Sequence, residues 1–210
     1  MSRFMKALWL ISTLVGLTLA GCSGAPAAPT VKLTPTPAPG GIIPVDPPVA
    51  LTDFSLANSQ NGTTTLKNWS GKFTLVTFGY THCPDVCPIN LALFRQLHIK
   101  LDAESDQINF YFVSVDGERD TPAVLAKHLP LFDEAIIGLT GTDDAVQVLT
   151  KQFGVTYKLE KTTPDQTDYA VTHTASSFLV DRQGRIRRVY AYGYDPELVS
   201  KDIQALIQQG

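Results

Sequence analysis

Nowhere does this 210-residue chain carry an apolar run long enough to span a membrane: Ala7 to Ala20 falls short of the ~20 residues a spanning helix needs. Cationic excess is missing too. Seventeen Lys and Arg stand against twenty Asp and Glu, a formal net charge of −3, so nothing recommends a nucleic-acid partner. Cysteine is scarce, with three residues, at positions 22, 83 and 87. A structural zinc site takes four protein ligands, and the two neighbouring thiols cannot supply them. No internal repeat divides the chain.

What is present begins with Arg3 and Lys6 ahead of the apolar stretch, which closes on Leu19-Ala20-Gly21-Cys22. Residues 1–21 therefore read as a secretory signal peptide. The cysteine after Leu-Ala-Gly resembles the lipobox of bacterial lipoproteins, which makes Cys22 the lipidated first residue of the exported protein. Losing Arg3 and Lys6 with the leader leaves fifteen cations against twenty carboxylates, a net charge of −5. Export also removes the chain from the reducing cytosol, so Cys83 and Cys87 do not stay thiols without help. From Ser23 to Pro48, eight of the fourteen prolines occur with Ala, Thr and Gly. Residues 22–49 read as a lipidated, polyproline-like tether, and residues 50–210 as one folded domain.

Within that domain Phe73–Phe78 and Ile108–Val115 are nearly continuous apolar runs rich in β-branched and aromatic residues, as strands buried on both faces should be. Between them Ile89, Leu93, Leu97 and Leu101 recur every four residues, a helical stripe starting near Pro88. The unit reads as strand, helix, parallel strand. Asp120-Thr121-Pro122 and Thr142-Asp143-Asp144 signal two further helix starts. Ser177–Val180 and Ile186–Tyr192 form a hairpin across Asp181-Arg182-Gln183-Gly184, and Asp195-Pro196 opens a terminal helix. A βαβ half followed by ββα is an α/β, thioredoxin-like arrangement: a central mixed sheet flanked by helices. An N-terminal extension around Thr52–Leu66 adds an edge hairpin.

The chemistry concentrates where the first central strand hands over to its helix, at Gly79-Tyr80-Thr81-His82-Cys83-Pro84-Asp85-Val86-Cys87-Pro88. Cysteines four apart on a helical turn place their sulfurs on one face, able to share a metal or to join, and a helix N-terminus favours the thiolate. Two thiolates and one imidazole suit copper. From the pair alone, metal binding, a structural disulfide and a redox couple all remain open. Among the histidines, His98 shares a helix face with Arg95 and Asp102 and reads as solvated, and His128 ends a helix where the dipole favours a cation. His82 adjoins Cys83 in a tight turn and reads as supporting or structural. His173, in Val171-Thr172-His173-Thr174-Ala175-Ser176, is either a third ligand or a buried, hydrogen-bonded histidine.

These motifs resemble the Sco/SenC group of copper-binding proteins. The resemblance covers Phe78 to Pro88, then Ser114-Val115-Asp116-Gly117-Glu118-Arg119-Asp120-Thr121-Pro122, then Gly138-Leu139-Thr140-Gly141, then the His173 segment running into Phe178-Leu179-Val180-Asp181 and Gly184. It implies one copper ion per chain, Cu(I) or Cu(II), on Cys83, Cys87 and His173. It also implies delivery to the dinuclear copper centre of cytochrome c oxidase, with the oxidase copper-binding subunit and a copper donor protein as partners, at a bacterial membrane outside the cytoplasm. The competing function is a thiol–disulfide oxidoreductase that uses Cys83 and Cys87 to keep the oxidase's ligand cysteines reduced. A peroxiredoxin-like peroxidase on the same fold is disfavoured by the metal-spaced thiol pair. Two positions depart from the group's pattern. Gly117 replaces a common proline, with an expected effect on loop stiffness alone, and Thr172 replaces a common aspartate, which bears on Cu(II) binding.

Overall fold

The computed structural model describes residues 39–209; the signal peptide, Cys22 and the tether as far as residue 38 lie outside them. In chain order the elements are β1 (Ile42–Ala50), β2 (Ser55–Asn58), β3 (Thr63–Thr65), α1 (Leu66–Trp69), β4 (Phe73–Gly79), α2 (Val86–Leu101), β5 (Ile108–Ser114) and α3 (Pro122–His128). Then follow β6 (Ile136–Thr140), α4 (Asp143–Phe153), β7 (Tyr157–Leu159), β8 (Val171–His173), β9 (Ser177–Val180), β10 (Arg185–Tyr190) and α5 (Pro196–Gln208).

Every residue of β4 is buried, and β5 is buried at all but one position. Strands with two covered faces belong in the middle of a sheet, and these two pair in parallel from Phe73↔Ile108 to Gly79↔Ser114. The sheet has eight strands in the order β1-β10-β9-β4-β5-β6-β2-β3. The βαβ unit, the β9–β10 hairpin and the edge hairpin β2–β3 all form, the last pairing antiparallel with β6. Three helix starts match their sequence signals. Thr121 and Thr142 accept from the amides of Val124 and Ala145, and Asp195 accepts from those of Glu197 and Leu198. Among the described residues no helix is long and apolar enough to cross a membrane.

One boundary needs correction. The tether was expected to run through Pro48, yet Ile42–Ala50 is an edge strand on β10. Pro44, Pro47 and Pro48 are tolerated there because an edge strand needs ladder partners on one side only, and the register shifts between Pro44 and Val49. Two elements had no clear sequence signal. In β6, Gly138 interrupts the apolar pattern because α3 and the turn after it come too close for a side chain: a Cβ there would lie 2.7 Å from Leu129 and 2.8 Å from Leu125. The other is a separate ribbon, β7 against β8, registered Tyr157↔His173 and Leu159↔Val171.

The ribbon and the β4–α2 turn meet at the carboxyl end of the central strands, the end at which open α/β sheets bind ligands. Beneath this end, Phe78, Phe153 and Phe178 pack edge to face, with centroids 5.0–5.9 Å apart. That aromatic floor is buried and fixes where β4 ends.

Candidate metal centre

Cys83 is half-buried in the turn after β4, and Cys87 is buried in the first turn of α2. The two thiols are free, and the Cys87 backbone amide points at Cys83 Sγ across 3.5 Å. His173 arrives from the ribbon rather than from a loop before β9, with Nε2 at 3.4 Å from Cys87 Sγ. The two sulfurs and an imidazole nitrogen all lie within 4.8 Å of one another. The family resemblance implied these three residues as one ligand set, and their donor atoms converge.

Electrostatics divide the two thiols. Burial pushes Cys83 up, but hydrogen bonds from the backbone of Asp85, Cys87 and Val86 outweigh it and leave the thiol below its ordinary value. Burial pushes Cys87 far up, with further raising by the neighbouring Cys83 and by Asp120. The first thiolate therefore forms on Cys83, at the surface of the site. A bound cation would reverse the cost of ionising Cys87, because a coordinating thiol is deprotonated outright.

The imidazole is set for ligation. Its Nδ1 lies 3.0 Å from the Thr174 carbonyl oxygen. A carbonyl only accepts, so Nδ1 carries the proton and Nε2 presents a bare lone pair towards Cys87. Burial also holds His173 below the ordinary imidazole value, against the raising effect of that Thr174 bond, so it stays neutral near pH 7. Soft thiolates with one neutral imidazole are a donor set that fits copper in either oxidation state and falls short of the four ligands of structural zinc.

The supporting residues were less legible. Gly79 is needed because a Cβ there would lie 2.7 Å from Cys87 Sγ and 2.9 Å from the Phe112 ring. Tyr80 stands edge-on to His173, centroids 6.0 Å apart. Asp116 accepts from Tyr169 Oη at 2.7 Å and from Arg119 Nε at 2.5 Å. The Arg119 guanidinium lies 3.6 Å over the Tyr169 ring. This ties the loop after β5 to the chain entering β8. Asp120 looked like part of a helix cap, but Thr121 alone caps α3. Asp120 is instead wholly buried and accepts from Thr81 N, Thr81 Oγ1 and Ser114 Oγ at 2.9, 2.5 and 2.6 Å. An aspartate beside an adequate threonine cap is redundant for capping, and that redundancy was the available signal.

The other histidines separate cleanly. His82 is excluded from the three-donor set, as expected from its place in the turn. His98 is not merely solvated: its Nδ1 lies 2.7 Å from Asp133 Oδ2. His128 ends α3, but burial lowers its pKa and works against the cation the dipole would favour.

The model of the family described as SCO1/SenC matches residues 46–208 of this chain. The chain belongs to the SCO1/SenC family. Among its relatives, Protein SCO2, mitochondrial, of Saccharomyces cerevisiae is 36% identical over 171 residues, which cover 80% of this chain and 54% of the relative. The chain thus spans about half the length of that protein. Bradyrhizobium japonicum ScoI, solved with copper bound, superposes with a TM-score of 0.68 at 34% identity, covering 75% of this chain and 99% of the other. Copper-bound Arabidopsis thaliana ScoI gives 0.70 at 28% identity, covering 77% and 100%. These SCO1/SenC neighbours share the thioredoxin-like fold.

Both departures from the SCO1/SenC pattern take on a structural meaning. Gly117 does more than change loop stiffness, because a Cβ at 117 would fall 2.0 Å from the Gly141 carbonyl oxygen. The two loops touch backbone to backbone, and only glycine permits that contact. Thr172 is exposed and directs its hydroxyl to Glu160 at 3.2 Å, since alternation along β8 turns it away from the face that His173 presents. Orientation of the imidazole falls to the Thr174 carbonyl instead.

Proposed function

We propose that this protein is a copper metallochaperone that carries one copper ion per chain on Cys83, Cys87 and His173. It delivers the ion to the dinuclear copper centre of cytochrome c oxidase. The observation that carries this reading is the convergence of two thiol sulfurs and a bare imidazole nitrogen within 4.8 Å. Copper bound in the Arabidopsis and Bradyrhizobium relatives supports the choice of metal, and family membership supports the oxidase as recipient. The partners are then the oxidase copper-binding subunit and a copper donor protein. Cys22 anchors the chain by lipid to a bacterial membrane, with the domain outside the cytoplasm.

Copper is cargo here, and the chain's own residues do the holding. Cys83 supplies the readily ionised sulfur, Cys87 the buried one, and His173 a neutral nitrogen that needs no deprotonation. A half-exposed Cys83 leaves one side of the ion open to an incoming ligand.

A second reading has its own support. A half-exposed thiol of lowered pKa beside a buried thiol of raised pKa is the asymmetry of an attacking and a resolving cysteine, as an oxidoreductase requires. His173 separates the two. His173→Ala should lower Cu(II) affinity strongly and Cu(I) affinity less, because two thiolates still hold Cu(I). It should abolish oxidase assembly and leave the dithiol couple able to cycle. Copper titration in each oxidation state and oxidase activity in a strain carrying only the variant make the test. Normal oxidase activity with lost copper binding would overturn the chaperone in favour of the oxidoreductase.

A further inference from the structure

The ribbon that brings His173 to the thiols has an unpaired edge. Thr174 N donates to Thr156 O and Glu160 N to Ala170 O, both at 2.9 Å, so in the register Tyr157↔His173 the even-numbered residues are those bonded across to β8. In an antiparallel pair the residues between them turn both backbone groups the other way. The N–H and C=O of Tyr157 and Leu159 therefore point away from β8, and no second strand pairs with β7 among the described residues. A row of unpaired backbone groups is a template for another chain.

The space beside this edge is a groove. A cavity of about 460 Å³ is lined by every residue from Val155 to Leu159, with Asp143 and Lys151 of α4 opposite. Side chains alternate between the faces of a strand, so consecutive residues share one cavity only along the backbone edge. Leu159 and Asp143 also line a second cavity of about 730 Å³, walled by Val115, Pro122 and Val146. Thr140 lies in that wall, 3% exposed, and its hydroxyl has no hydrogen-bond partner among the described residues. A buried polar atom without a partner calls for one from outside. Charge along the groove is uneven. Lys158 has an exposed pair with Glu160, and Lys151 forms no ion pair among the described residues.

We propose that an extended acidic segment of the copper recipient adds to β7 as a third strand of the ribbon. The proposal rests on the copper-carrying function above. A third strand would run two strand spacings, about 10 Å, from β8, and Tyr157 stands opposite His173. Docking thus brings the recipient's backbone beside the ligand that must release the ion. A carboxylate of the segment meets Lys151, and a polar group entering the larger cavity satisfies Thr140. Two other occupants fit less well. A second copy pairing through all four outward groups of β7 sets Lys158 against its own counterpart, a destabilising like-charge pair. The tether, residues 22–38, has Lys32 as its only charge and brings no carboxylate.

The test uses the copper-loaded full-length chain in detergent, with the metal-free oxidase copper-binding subunit as the probe. Residue-resolved amide hydrogen exchange should find Tyr157 and Leu159 exchanging fast in the free chain and slowed at least about tenfold by the subunit, as when edge amides gain acceptors. Leu159→Pro removes an outward N–H and leaves the bonds to β8, and Leu159→Ala controls for the lost side chain. The proline variant should bind the subunit about tenfold more weakly than the alanine variant, the worth of one hydrogen bond, while chelator competition finds wild-type copper affinity in both. Lys151→Glu, on α4 and away from the ribbon, should also weaken binding. Amides that exchange equally fast with and without the subunit overturn the proposal, as does equal binding by the two Leu159 variants. Protection that rises with the chain's own concentration assigns the edge to a second copy, and protection without the subunit that vanishes when residues 23–38 are deleted assigns it to the tether; either result overturns it. Should Leu159→Pro misfold and lose copper, the exchange of the wild type and the binding of Lys151→Glu decide. A wild-type chain that protects both amides and yet passes no copper overturns the metallochaperone reading instead, so measuring transfer alongside exchange tells the two failures apart.

Discussion

Asn90 Nδ2 donates to the Ala175 carbonyl oxygen at 2.9 Å, so one buried amide joins the helix that carries Cys87 to the chain leaving His173. Asn90 lies one helical turn after Cys87, and Ala175 lies two residues after His173. Their bond therefore spans the gap that any bound ion must bridge. Asn90→Ala should lower copper affinity by roughly tenfold, the lower end of the effect of removing a group that orients a ligand. It should cost about 1 kcal/mol of stability, since a part-buried carbonyl loses its partner. Chelator competition and urea unfolding check both. Copper affinity equal to wild type would show that the ribbon and Thr174 hold His173 without help.

Gly79→Ala is a harsher change than its size implies. The added methyl would contact Cys87 Sγ and Phe112 at distances no packed atoms keep, so β4 or α2 must shift. We expect a stability loss of about 1–3 kcal/mol, typical of overpacking, together with a Cys87 displaced from His173. Thermal unfolding and the Cu(II) absorption spectrum are the measurements. A variant with native stability and an unaltered spectrum would contradict the packing.

Acid sensitivity should centre on Asp181 in the β9–β10 turn. Burial pushes this carboxyl up, but Arg185 and the backbone amides of Arg185 and Gln183 pull it down, and the net shift is downward. Arg185 and Arg187 both reach Oδ2, at 2.8 and 3.4 Å. A folded-state pKa below the unfolded value of ~3.9 means that the stabilisation is complete above that value. It is lost as pH falls through the folded value. Asp181→Asn should flatten the stability curve below about pH 4. Identical acid limbs for the two proteins, measured by urea unfolding across pH, would refute this.

Cys22→Ala should release the exported protein from membranes, because the lipidated cysteine is the proposed anchor. Fractionation with mass analysis of the N-terminus decides it. Complete membrane retention with an uncleaved leader would point to a retained signal sequence instead.

Much of this was legible because the informative residues are local. Cys83 and Cys87 share one turn, and the runs Phe73–Phe78 and Ile108–Val115 can only be central strands. His173 was harder, since 86 residues separate it from Cys87 and only the family resemblance singled it out. The ribbon that carries it is three residues a strand, too short for a period to show. The contacts of Asp120, Asn90 and Gly79 were not legible for a common reason: each acts through a distant element. Local pattern placed Asp120 in a helix start and Gly79 in the turn after β4, and gave Asn90 no role. β1 escaped because proline content reads as tether until the pairing partner is known.

That edge strand also decides which way the domain hangs. Ile42 pairs with Tyr190, Tyr190 with Ser177, and Ser177 with Thr77, two residues before Gly79. The chain therefore enters the fold at the same end as the cysteines. With the proposed attachment at Cys22, the thiols and His173 would lie at the end of the domain where the chain enters, so a recipient would meet the ion on the attached side of the sheet rather than at its far end.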